Sequence, residues 1–146
     1  MSTTLAKPAT LTGYKLAIAE CLREILKNEF EVYDSLDEIS PDLLPCIVLS
    51  FDKGVRFEGL AEETYEAKAH LNLDLFFGLS SEVTIQTSDR LSEEILSKIL
   101  SDQRLNEMCH EIIPDEISAH NIVGEHKVRV VLLDFTLSFL WSPQLA

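Results

Sequence analysis

The stretch YEAKAHLNLDLFF, Tyr65 to Phe77, decides the fold of this chain. Tyr65, Ala67, Ala69, Leu71, Leu73, Leu75 and Phe77 alternate with Glu66, Lys68, His70, Asn72 and Asp74. A period of two is the period of a β-strand, whose successive side chains point to opposite faces. The odd positions therefore predict a core-facing side and the even positions a wet one. Phe76 breaks the pattern by standing on the otherwise polar face.

Upstream, Cys46-Ile47-Val48-Leu49-Ser50-Phe51 is a nearly continuous apolar run rich in β-branched residues, which predicts a central strand. Asp52-Lys53-Gly54 reads as a turn after it. Pro41 and Pro45 punctuate an acidic loop over Asp34 to Asp42, and Phe30 to Tyr33 is a short strand candidate. Earlier still, Tyr14, Ile18, Cys21, Leu22, Ile25 and Leu26 recur at helical spacing, so a helix to about Lys27 is expected, capped by Thr12. Its other side carries Lys15, Glu20, Arg23, Glu24 and Lys27, charges suited to water.

Downstream, Ser88 heads a second predicted helix, Asp89 to about Leu100, with Leu91, Ile95, Leu96 and Ile99 on its buried face. A helical turn follows at Asp102 to Met108. Met108 to Ile113 and Ile117 to Ile122 read as two strands separated by Pro114-Asp115, and Gly124 turns the chain into a last strand, Lys127 to Trp141. There Val131, Leu133, Phe135, Leu137, Phe139 and Trp141 share one face, while Val128, Val130 and Leu132 make the start of the other face apolar as well. Helix, strands, helix, strands is not the regular alternation of doubly wound folds. The fold class expected is α+β: an antiparallel or mixed β-sheet with two main α-helices packed on one face.

A chain of 146 residues fits one domain, 1–146, with 1–11 expected as a flexible N-terminal arm and 142–146 as a flexible C-terminal tail. With 46% apolar and 25% charged residues it is too apolar to stay disordered. Its longest apolar run, Val130 to Trp141, is interrupted by Asp134, Thr136 and Ser138 and falls short of the ~18 residues a membrane helix needs. Residues 1–11 hold one Lys and no apolar signal-peptide core. Cys21, Cys46 and Cys109 are odd in number and widely spaced, which suits reduced buried thiols and synthesis inside a cell. The net charge of −13, without a Lys/Arg cluster, disfavours tight or sequence-specific binding of nucleic acid.

The five glycines, at 13, 54, 59, 78 and 124, form no phosphate-cradling loop. Cys109, His110, His120 and His126 have none of the C-x2-C, H-x3-H or HExxH spacings of metal sites, so neither metal nor cofactor is expected. Cys109 and His110 are adjacent, and strand neighbours point to opposite faces, so adjacency alone does not make them a nucleophile and its base. Asp115-Glu116 and Glu62-Glu63 are carboxylate pairs of the kind any acidic chain contains. The remaining enzyme reading places a site at His70 and Asp74 on the wet strand face, or at Cys109 and His110. The chain is expected not to be an enzyme.

The layout resembles that of the phage tail terminator proteins, subunits that cap the finished tail tube of long-tailed phages and related contractile injection devices. The resemblance is carried by the early amphipathic helix, the strand opening Leu44-Pro45-Cys46-Ile47-Val48-Leu49-Ser50-Phe51, the alternating Glu66 to Phe77, the helix Asp89 to Leu100, the step Ser101-Asp102-Gln103-Arg104-Leu105-Asn106, and a strand pair closing on Val128 to Trp141. It covers about residues 12–141 and is one of order more than of motif. Arg104-Leu105-Asn106-Glu107 stands where related subunits often have a small-residue or double-glycine step.

The resemblance implies a structural virion protein made in the host cytoplasm and carried in the virion tail. It implies a homo-hexameric ring that docks on the last tail-tube ring, stops its polymerisation and offers its other side to neck proteins, with a sheath as a further partner in a contractile tail. Another neck, tail-completion or adaptor subunit is the alternative. Asp52 to Glu63 is the candidate projection, where apolar Val55, Phe57 and Leu60 mix with Lys53, Arg56 and acids as at a protein interface or in an ordinary hairpin. Phe76 and Trp141 complete the candidate interface, with local packing as the other reading of each. Surplus acid would keep DNA from sticking in a lumen, and it would equally serve solubility.

Overall fold

The computed structural model of the protein describes residues 10–27, 30–34, 44–124 and 126–143. The acidic loop expected over 34–42 lies, from residue 35 on, outside the described residues, as do residues 1–9 of the expected arm and 144–146 of the expected tail.

The elements are helix α1 (Leu11–Leu26), strands β1 (Glu31–Tyr33), β2 (Cys46–Ala61) and β3 (Thr64–Gly78), helices α2 (Ile85–Ser101) and α3 (Gln103–Met108), and strands β4 (Glu111–Ile122) and β5 (Val128–Trp141). Among the described residues one sheet has the order β1-β2-β3-β5-β4. β1 runs parallel to β2, and every other neighbouring pair is antiparallel, so the α+β fold is built on a mixed sheet.

The alternation in β3 sets the layers. Leu71, Leu73, Leu75 and Phe77 are fully buried beneath Ile18, Leu22 and Leu26 of α1, Ile95 and Ile99 of α2 and Leu105 of α3. β5 brings Val131, Leu133, Phe135 and Leu137 to the same side, because its register sets Leu133 opposite Leu73 and Phe135 opposite Leu71. All three helices thus cover one sheet face, where the apolar area removed from water drives packing. The opposite face has its own apolar end, in which Cys46, Phe76, Val128 and Val130 bury one another.

Four local expectations are corrected. The cap of α1 is Thr10, whose hydroxyl accepts a hydrogen bond from the Gly13 amide at 2.9 Å; Thr12 lies inside the helix. The cap of α2 is Thr84, which accepts from the Thr87 amide, while Ser88 is buried in the helix and donates to the Ile85 carbonyl. A serine inside a helix can return its hydroxyl proton to the preceding turn, so its presence did not mark the start.

Asp52-Lys53-Gly54 does not turn the chain. β2 absorbs it as an irregularity between Phe51 and Val55 and continues to Ala61, and the reversal occurs at Glu62-Glu63, with Glu63 at φ 61°. Pro114-Asp115 likewise separates nothing: β4 is one strand with a register shift between Pro114 and Glu116. A bulge takes up an extra residue at an edge strand, where proline has no ladder partner to lose.

Candidate functional site

β2 and β3 form a long hairpin, and α1 covers it only in part. At the N-terminal end of α1, Tyr14 stacks on Phe139 with ring centroids 4.2 Å apart and donates to the Leu140 carbonyl at 3.2 Å. Ala67 and Ala69 are fully buried beneath this pair, small enough to let the helix approach the sheet.

One step further along the same face three aromatic rings pack on one another. The register sets Tyr65 opposite both Gly59 and Trp141, and Phe57 opposite Ala67. Phe57 lies 5.6 Å from Trp141 and 6.2 Å from Tyr65, and Tyr65 lies 6.1 Å from Trp141, in tilted and edge-on arrangements typical of aromatic clusters. With Pro143 these rings bound a shallow depression of about 410 Å³. Phe57 remains 48% exposed and Leu60 53%, more apolar surface than a solvated hairpin end requires. Trp141 Nε1 is buried and, among the described residues, has no hydrogen-bond acceptor. An unmade bond of this kind costs about 1–3 kcal/mol.

Of the residues singled out in the sequence, Val55, Phe57 and Trp141 are brought together, since Val55 packs against the Tyr14 cluster that Trp141 also joins. Leu60 is at the hairpin end, and Arg56 is exposed on the opposite sheet face, directly across from Lys68. Phe76 is elsewhere: it is 9% exposed and packs with Cys46, Val128 and Val130 near the other end of the sheet. Tyr65 was not singled out, although as the first apolar residue of the alternation it had to share a face with Phe57 once β2 continued past Gly54.

His70 and Asp74, of the enzyme reading, share the helix-free face of β3. His70 lies on the helix-free face, with Nδ1 3.2 Å from the Thr136 hydroxyl, which also bonds Asp115. Asp74 on that face has its carboxyl pushed up by burial first and by the neighbouring Asp134 second, an arrangement of mutually repelling carboxylates. Burial lifts the Cys109 thiol to about 12, so it is held protonated, the reverse of an activated nucleophile. His110 Nε2 lies 3.9 Å from Glu66 on the outer strand face. A cleft of about 790 Å³ is lined by Phe30, Leu44, Phe77, Val83, Leu91 and Lys127 among others and includes neither His70 nor His110. Among the described residues no group of His, Cys, Asp and Glu is placed to hold a metal ion, and no helix is long and apolar enough to cross a membrane.

No protein-family model matches the chain, and no curated protein matches it.

Proposed function

We propose that the protein is a structural assembly subunit of the tail-terminator kind, which forms a ring on the end of a tail tube, halts its growth and joins it to neck proteins. The observation that supports this reading is the hairpin end, where Phe57 is half-exposed beside Tyr65 and Trp141 and Leu60 is half-exposed on the same hairpin. Exposed aromatics rimmed by charge are the composition of interface cores. The layout of elements adds to it. The tail-terminator likeness of the fold belongs to the same proposal.

The helix-free sheet face carries Asp52, Asp74, Asp134, Asp115 and Glu116. Turned toward a lumen, these acids would repel a passing phosphate backbone. A neck or tail-completion subunit would use the same apolar patch in a different oligomer.

Negative-stain electron microscopy of the purified protein tests the proposal. Single-layer rings with a central opening are expected, because a terminator must stop growth after one layer. Filaments, or particles of monomer size at every concentration, would contradict it.

A further inference from the structure

The cleft of about 790 Å³ lies at the end of the sheet away from the aromatic hairpin, where β2 begins, β3 ends and β5 begins. Phe30 and Phe77, buried and packed edge to face with centroids 5.8 Å apart, line it. Leu44, Leu79, Val83 and Leu91 add half-buried apolar walls. Val83 and Leu91 pack against the main core under the helices, whereas Leu44 packs against the Cys46 and Phe76 cluster of the other sheet face. The space therefore opens just past the last β3–β5 pair, Gly78 with Val128, where side chains from the two apolar layers come together.

Two properties of the lining decide what fits. Its walls are apolar, and apolar atoms seated against them gain both transfer energy and dispersion contacts. Its titratable members are Lys127 and His126, both exposed at the rim, and no Asp or Glu is among the described lining residues. Lys127 makes no ion pair among the described residues, and Glu82, exposed on the turn before Val83, does not line the cleft. A wholly apolar guest would leave the Lys127 cation unused, and a wholly polar one would leave the walls wet. An alkyl chain with one anionic head answers both, and the volume falls in the roughly 300–1,000 Å³ of small-molecule sites.

We propose that this cleft binds one molecule of a free, single-chain carboxylate amphiphile of the fatty-acid kind, its alkyl chain against Phe30, Phe77, Val83 and Leu91 and its carboxylate at Lys127. The buried aromatic pair receives the chain, and the rim cation holds the head at the solvent boundary by a charge-assisted hydrogen bond. Each further methylene then lies deeper against the walls, so affinity rises with chain length until the cleft is filled. Tyr65 and Gly78 stand near opposite ends of β3, so the site is separate from the aromatic hairpin end and does not depend on ring formation.

Isothermal titration calorimetry with octanoate, decanoate and dodecanoate, each kept below micelle formation, tests this. One molecule per chain is expected, each added methylene tightening binding about fourfold, the fold-change that ~0.8 kcal/mol per buried methylene gives. Lys127→Glu, at an exposed position, should weaken decanoate at least about tenfold and leave 1-decanol unchanged, because only the acid carries a charge for the rim to hold. Val83→Trp, which fills the cleft, should abolish binding of both, with circular dichroism checking its fold. Methyl resonances of Leu44, Val83 and Leu91 in the wild-type protein, which need no variant, should shift on adding decanoate. Absence of binding, a Lys127→Glu variant that binds decanoate like wild type, methyl shifts confined to other residues, or capture by anionic phospholipid vesicles without binding of the monomeric acid would each overturn the proposal.

Discussion

Phe57 and Trp141 stand on strands that never pair, yet their rings approach to 5.6 Å across the β3 strand that separates them. β3 contributes to this by placing the small Ala67 beside both Phe57 and Phe139, and Tyr65 against both the Phe57 and Trp141 rings. The result is an apolar hairpin end that gains little from facing water. Phe57→Asp should leave the monomer folded, since the ring is half-exposed, and should abolish self-association. Circular dichroism and sedimentation of the same sample check this; loss of the folded signal would make Phe57 a core residue instead.

Phe139 is fully buried against Tyr14, and both the ring stack and the Tyr14 hydroxyl depend on that placement. Phe139→Ala should cost about 3–5 kcal/mol, and Tyr14→Phe, which deletes only the bond to the Leu140 carbonyl, about 1 kcal/mol. Urea unfolding of both variants measures the difference, and equal losses would mean that the hydroxyl, not the packing, holds α1 on the sheet.

Asp134 gives the protein a pH dependence of defined sign. Its carboxyl is raised in the folded state by burial and by Glu116, Asp115 and Asp52, with His70 acting in the opposite direction. The folded state therefore holds this proton more tightly than the unfolded chain does. Its unfavourable contribution is complete above the folded pKa and is relieved as the pH falls through that value to the ordinary carboxylate range. Asp134→Asn should be more stable than wild type at neutral pH, with the advantage disappearing on acidification. Thermal melts across that range check it, and an advantage that persists in acid would contradict the assignment.

Cys21, Cys46 and Cys109 are all buried. Burial, and for Cys21 also its hydrogen bond to Asp102 at 3.3 Å, lifts the Cys21 thiol to about 12, and burial alone lifts Cys109 equally. A maleimide at mildly alkaline pH should label the folded protein little and label all three thiols after denaturation. Rapid labelling before denaturation would mean that one of these sites opens to solvent.

The β3 alternation made the sheet and its two faces legible, and the apolar spacing of Tyr14 to Leu26 and of Leu91 to Ile99 made the helices legible too. Their ends were less so. Thr10 and Thr12, or Thr84 and Ser88, are equally good caps by residue type, and only the accepting geometry separates them. Asp52-Lys53-Gly54 and Pro114-Asp115 look like turns because turns and bulges use the same residues; pairing with β3 and β5 across the sheet decided for bulges. For the same reason the interface candidates were found only in part. Once Gly54 is read as a strand residue, Val55 and Phe57 fall on the face of Tyr65 and Trp141, whereas Phe76 sits beside Cys46 and Val130 because apolar residues of three strands converge there.

The most direct test of the central proposal is the solution mass of the unmodified protein by light scattering across a concentration series, at low and moderate salt. A discrete mass matching a hexamer is the result predicted. A monomer mass at every concentration and both salt levels would contradict it.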